Sequence, residues 1–136
     1  MDLINILKQE HRELLEQIKK IKREGINSNQ AKENICEFKN LLVKHLRRED
    51  HELYPFLNEV AKTNVNIEIM LRAYANEINK IEEESLIFFN KFENNKFTPE
   101  ELKKNFDKMV AKLEIRIISE EKKLFPKYSN FKSKNK

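Results

Sequence analysis

A chain of 136 residues, 39% apolar and 37% charged, is long enough for one domain with a buried core. One glycine and three prolines leave little punctuation for a sheet protein, and a single glycine nearly excludes a glycine-rich phosphate loop. The net charge of +4 arises from 27 basic and 23 acidic residues that are interleaved. That is the pattern of solvated helix faces, not of a nucleic-acid-binding surface with aromatics reaching bases.

The first residues, MDLINILKQEH, have neither the basic flank nor the apolar run of a signal peptide. No segment approaches the roughly 20 apolar residues of a membrane span. Cys36 is alone, so no internal disulfide can form. A small, buried or half-buried thiol in a cytoplasmic protein is expected, with no membrane and no nucleic-acid partner.

Apolar residues recur at three and four, which predicts amphipathic helices. Helix 1 should run from about Leu3 to Glu24, with Asp2 as N-cap and a stripe of Leu3, Leu7, Leu14, Ile18 and Ile21 that passes through His11. Gly25 should end it as a left-handed C′ residue, with the loop and next cap from Asn27-Ser28-Asn29. Helix 2 should run from about Gln30 toward Lys62 on a stripe of Ile35, Phe38, Leu42, His45, Glu49, Leu53 and Phe56. Pro55 should kink or end it, with a short last turn to follow. Helix 3, about Val65 to Glu93, carries Ile67, Leu71, Tyr74, Ile78, Ile81, Ser85, Phe88 and Phe92. Helix 4 has Thr98 as N-cap, Pro99 at the first helical position and Glu101 closing a capping box. Its stripe is Leu102, Phe106, Met109, Leu113, Arg116, Glu120 and Leu124, and Pro126 should stop it. An all-α, antiparallel up-down-up-down four-helix bundle over residues 1–128 is predicted, followed by a disordered basic tail, residues 129–136.

The chain repeats itself at a separation of 71 residues: Glu49 falls on Glu120, Asp50 on Glu121, Leu53 on Leu124, Tyr54 on Phe125 and Pro55 on Pro126. His45 falls on Arg116. The repeat suggests two helical hairpins related by a pseudo-twofold.

Ionisable groups interrupt three stripes: His11, then His45 with Glu49, then Arg116 with Glu120. Antiparallel packing should bring them together toward one end of the core. An unpartnered buried carboxylate is costly, so something must satisfy the cluster. A metal ion is one solution, since imidazoles and carboxylates suit iron, manganese or zinc and bundle cores build such sites from facing helices. A metal-free network is the other, with Arg116 paired to Glu120 or Glu49.

The chain resembles the hemerythrin-like (HHE cation-binding) family over nearly its whole length. The resemblance rests on His11 in EHRELL, on His45 and Glu49 followed by Leu53-Tyr54-Pro55, and on Glu120 in the second motif copy. Some family members place that last carboxylate one residue later, which would be Glu121; the stripe favours Glu120. The resemblance implies metal ligands His11, His45, Glu49 and Glu120, the carboxylates bridging if two ions are present. The metal it implies is iron, with O2 or NO as a small ligand. It also marks departures. Arg116 stands at a ligand histidine of helix 4, and Ile78 and Tyr74 at the histidine positions of helix 3. The imidazoles of one half-site are missing, which suits one metal or none better than two.

Glu77, one position off the stripe, is a reserve ligand, and Tyr74 reads as core, though a phenolate can bind ferric iron. His51 and Glu82-Glu83-Glu84 read as solvated surface. No Ser-His-Asp arrangement, reactive cysteine setting or other catalytic constellation is present. Three functions are thus expected in order: a cytoplasmic non-haem iron protein with an incomplete centre, for oxygen, nitric oxide or redox handling; a metal-free interaction or signalling bundle with Arg116 in the metal's place; and an enzyme with a mononuclear site of His11, His45 and one glutamate.

Overall fold

The computed structural model describes residues 2–134. Six helical segments make four rods. The first rod is α1 (Leu3–Glu24). The second is α2 (Ala31–Arg48) and α3 (Tyr54–Ala61), joined without a break by a π turn, Glu49–Leu53. The third is α4 (Val65–Glu93). The fourth is α5 (Pro99–Ser119) and α6 (Phe125–Lys134), joined by a second π turn, Glu120–Leu124. No strand occurs among the described residues, and no helix is long and apolar enough to cross a membrane. Short loops make successive rods antiparallel neighbours, and α1 against α5 closes the bundle.

The caps form where the sequence places two of them. Asp2 accepts a hydrogen bond from the Asn5 amide at 2.9 Å. Thr98 and Glu101 close a reciprocal capping box. Asn64 adds a third, accepting from the Ile67 amide at 3.1 Å. By contrast, α2 begins after Gln30 with no side-chain cap. Gly25 has φ +94° and ψ 129°, open to glycine but not the left-handed helical conformation expected. Cys36 is exposed, correcting its placement as a buried or half-buried thiol: Asn34 and Ile35 take the inward positions of that turn. His51 is exposed, as expected.

The prolines do not act as stops. In each case the helix widens by one residue just before the proline: the Tyr54 amide donates to Glu49 O and the Phe125 amide to Glu120 O. The proline then lies in the first turn of the next segment, where its missing N–H is tolerated. The expected end of the fourth rod at Pro126 is therefore corrected. The chain stays helical to Lys134, held by Phe125 and Tyr128, which pack with Ile4, Leu7 and Leu57. Residues 129–134 of the expected tail thus belong to α6, and Asn135 and Lys136 lie outside the described residues. The extra residue in the π turn also rotates the buried face. Leu57 is wholly buried, whereas Phe56, predicted by the α-helical stripe, is half-buried.

Apolar side chains form two clusters. One gathers Leu14, Phe38, Leu42, Phe88, Phe106 and Leu113. The other gathers Leu7, Leu53, Leu57, Leu71, Leu124 and Phe125. Between them in three rods lies a break: His11 after Leu7, His45 and Glu49 after Leu42, Arg116 and Glu120 after Leu113; α4 instead brings Tyr74, a member of the second cluster, against Arg116. The polar residues thus form an interior layer with apolar packing on both sides, rather than sitting at an end of the core.

Candidate metal centre

Helical spacing explains how the layer assembles. His45 and Glu49 are one turn apart at the end of α2, and Arg116 and Glu120 one turn apart at the end of α5, so each pair shares a face. Each glutamate is also the first residue of a π turn. His11 enters from α1. All four residues that the resemblance marks are buried: His11 is 0% exposed, His45 2%, Glu49 2% and Glu120 1%. One ligand atom from each lies within 4.8 Å of the others.

The imidazoles are oriented from behind. His11 Nδ1 lies 2.7 Å from Glu121 Oε2, and His45 Nδ1 lies 3.1 Å from Glu10 Oε1. A carboxylate can only accept, so each Nδ1 carries the donated proton. Glu10 is held in turn by Arg48 Nε at 2.9 Å. The Nε2 atoms then point inward and meet at 3.1 Å. Glu120 Oε1 is 3.1 Å from His11 Nε2, and Glu49 Oε2 is 3.3 Å from His45 Nε2.

On the far side stands Arg116, 5% exposed. Its Nη2 donates to the Tyr54 hydroxyl and lies 3.4 Å from Glu120 Oε2. Its Nη1 donates to Tyr74 O, and the guanidinium carbon sits 4.4 Å from the Tyr74 ring centroid. Tyr74 is itself fixed by its hydroxyl to Ser119. Ile78 is buried, and Glu77 lies outside the four-residue cluster, reaching Arg116 Nη1 at 3.6 Å from an exposed position.

Electrostatics follow from this crowding. Burial and the charge of Glu120 push the Glu49 carboxyl up, while hydrogen bonds accepted from His11 and Glu49 and the charges of Arg116 and His11 overcome burial and hold Glu120 down. The two acids titrate as a pair that keeps a proton well above the usual carboxylate range. Burial alone would lower His45, but the hydrogen bonds it donates to Glu10 and Glu49 and the charges of Glu49 and Glu120 push it up to about 10. Glu10, also penalised by burial, is nonetheless held low by His45 and Arg48.

The donor set fits a cation. With both Nδ1 atoms donating to carboxylates, two imidazole lone pairs and two carboxylate oxygens face one another inside 4.8 Å. The Oε2 atoms of Glu49 and Glu120 are fully buried and accept no well-aligned hydrogen bond, despite standing within ion-pair distance of His45 and Arg116. Neighbouring ligands at right angles on an ion with bonds of about 2.1 Å stand about 3 Å apart, close to the spacing of His11 Nε2 from His45 Nε2 and Glu120 Oε1 at 3.1 Å and of His45 Nε2 from Glu49 Oε2 at 3.3 Å.

A bundle with an imidazole–carboxylate cluster sealed inside its core is the class of protein this defines. The chain belongs to the hemerythrin family: the model of the hemerythrin HHE cation-binding domain matches residues 2–128. Searches among curated proteins and among solved structures gave no match.

The orienting residues were less legible than the inner four. Glu10 follows Leu7 by three and precedes Leu14 by four, a spacing that places it beside the stripe, and this was the available signal. Arg48 and Tyr54 act across helices; the repeat marks Tyr54 as part of Leu53-Tyr54-Pro55 but not as a partner of Arg116, and nothing in the linear order marks Arg48. Glu121 takes the back of His11 instead of the inner carboxylate position.

Proposed function

We propose that the chain is a non-haem iron-binding bundle that holds one ion on His11, His45, Glu49 and Glu120 and handles oxygen, nitric oxide or electrons in the cytoplasm. One observation carries the reading: two Nε2 atoms face each other at 3.1 Å with carboxylate oxygens beside them, in a layer closed by apolar side chains. Four mutually facing acceptors need a positive charge among them, supplied either by protons or by a metal. Arg116 supports one ion over two, because its guanidinium holds the side of Glu120 turned toward helix 3, where Tyr74 and Ile78 offer no imidazole.

The alternative is a metal-free bundle acting as an interaction module, and the same contact favours it: Arg116 already supplies Glu120 with a cation. Metal analysis of protein from iron-supplemented cells separates the readings. About one iron per chain, lost in His45→Ala, is expected. No metal, with a melting temperature unmoved by chelator, establishes the alternative, and about two irons overturn the role given to Arg116.

A further inference from the structure

The two imidazoles are backed by carboxylates of unlike surroundings. Glu10, behind His45, has a side chain only 7% exposed, and its second oxygen is pinned by Arg48, which also reaches Glu52 at 3.1 Å. Glu121, behind His11, has a side chain 36% exposed, and no lysine or arginine pairs with it among the described residues. His45 is thus locked from two helices, α1 and α2, while His11 leans on one half-exposed carboxylate at the start of the second π turn.

We infer that Glu10 and Glu121 are positioning residues for the bound ion and that they differ in task. Glu10 sets how tightly the ion is held, and the His11–Glu121 side is where the ion enters and leaves. A carboxylate accepting from Nδ1 fixes the tautomer, aims Nε2 and makes the imidazole a stronger donor to a metal. Loss of such a partner commonly weakens metal affinity about 10- to 100-fold. At His45 the partner is sealed and cross-braced, so its removal should cost affinity. At His11, whose buried ring stacks on Phe125, the partner meets water and can swing aside without breaking another hydrogen bond, which loosens the aim of Nε2 and eases release of the ion. The inference rests on the proposed metal binding by the same cluster.

Cobalt(II) is a suitable probe, with zinc(II) for nuclear magnetic resonance. Affinity is read by competition with a chromophoric chelator and release by transfer to excess chelator. The parent should bind one cobalt(II). Glu10→Gln, which keeps the side-chain shape, should weaken binding about 10- to 100-fold. Glu121→Gln should speed release about tenfold with a smaller loss of affinity. In the zinc-loaded parent both rings should show a slowly exchanging Nδ1–H, and Glu10→Gln should perturb only that of His45. This signature would not respond to a merely structural role. Parent-like affinity and release in both variants would overturn the inference and leave the metal-binding reading standing. Equal effects of the two variants on release would overturn the division of tasks. A parent that binds no cobalt(II) would remove both the inference and the reading beneath it.

Discussion

Arg116 Nη2 and Glu120 Oε2 lie 3.4 Å apart on one face of α5 and its π turn, with side chains 5% and 1% exposed. Removing one partner of a buried ion pair typically costs about 3–5 kcal/mol, because the other charge is left without compensation. Arg116→Leu should therefore destabilise the metal-free protein by about that amount. A bound divalent cation would replace the lost charge, so added metal should raise the melting temperature more in Arg116→Leu than in the parent. Thermal melts with and without cobalt(II) check this. An equal shift in both proteins would mean that Arg116 and the ion act on different groups.

Helix 3 offers no imidazole at the layer, because Tyr74 and Ile78 occupy its inward positions beside Arg116. The double substitution Arg116→His with Ile78→His should restore nitrogen ligands on that side of Glu49 and Glu120. Bound metal should rise from about one ion per chain to about two, counted by elemental analysis after removal of loosely bound ions. Unchanged stoichiometry would show that helices 3 and 4 do not present these positions to a common point.

The inner four residues were legible because burial and helical period are both local to a stripe. A histidine or glutamate at a position spaced for leucine announces itself, and the structure places His11, His45, Glu49 and Glu120 together on that basis. The helix ends at Leu3, Val65 and Pro99 were legible for a related reason, since caps and short loops act within a few residues. What escaped depends on distant packing. Whether Pro126 ends a helix is decided by the burial of Phe125 and Tyr128 against the first two rods. Whether Glu10 is solvated or internal is decided by Arg48, 38 residues away.

Both π turns, Glu49–Leu53 and Glu120–Leu124, begin at a cluster glutamate and end just before an aromatic–proline step, Tyr54-Pro55 and Phe125-Pro126. The extra residue in each turn rotates the following segment by about 100° relative to an uninterrupted α-helix. That rotation lets Glu49 face the polar layer while Leu53 and Leu57 still face the core. Deleting the exposed His51 should close the widened turn into a regular α-helix, because the lost residue and the lost bulge cancel at about 100° each. Leu53 and Leu57 then stand at i+3 and i+7 from Glu49, still on the inward face, so stability should stay within about 1 kcal/mol of the parent. Chemical melts of the deletion variant, compared with the point substitution His51→Ala, measure this. His51→Ala should change stability by less than about 0.5 kcal/mol, as for other exposed sites. A loss of about 4 kcal/mol or more, the cost of misplacing two buried leucines, would mean that the second rod needs the widened turn itself.

The cluster also fixes how stability should respond to alkali. His45 is held up to about 10 in the folded protein, above the value of about 6.5 for a free imidazole. A raised folded value means that the folded state binds the proton more tightly, so the stabilisation is complete below about pH 6.5 and is lost as pH rises toward about 10. Glu49 is also raised, which adds the same sign, while Glu120 is lowered and acts only on the acid side. The metal-free melting temperature should therefore fall between pH 7 and 10. A metal displaces protons from the imidazoles, so its binding should tighten over the same range. The gap between metal-loaded and metal-free melting temperatures should widen with pH, and His45→Gln should flatten the metal-free slope. A metal-free protein equally stable at pH 7 and 9, with His45→Gln behaving as the parent, would mean that His45 carries no extra proton in the fold.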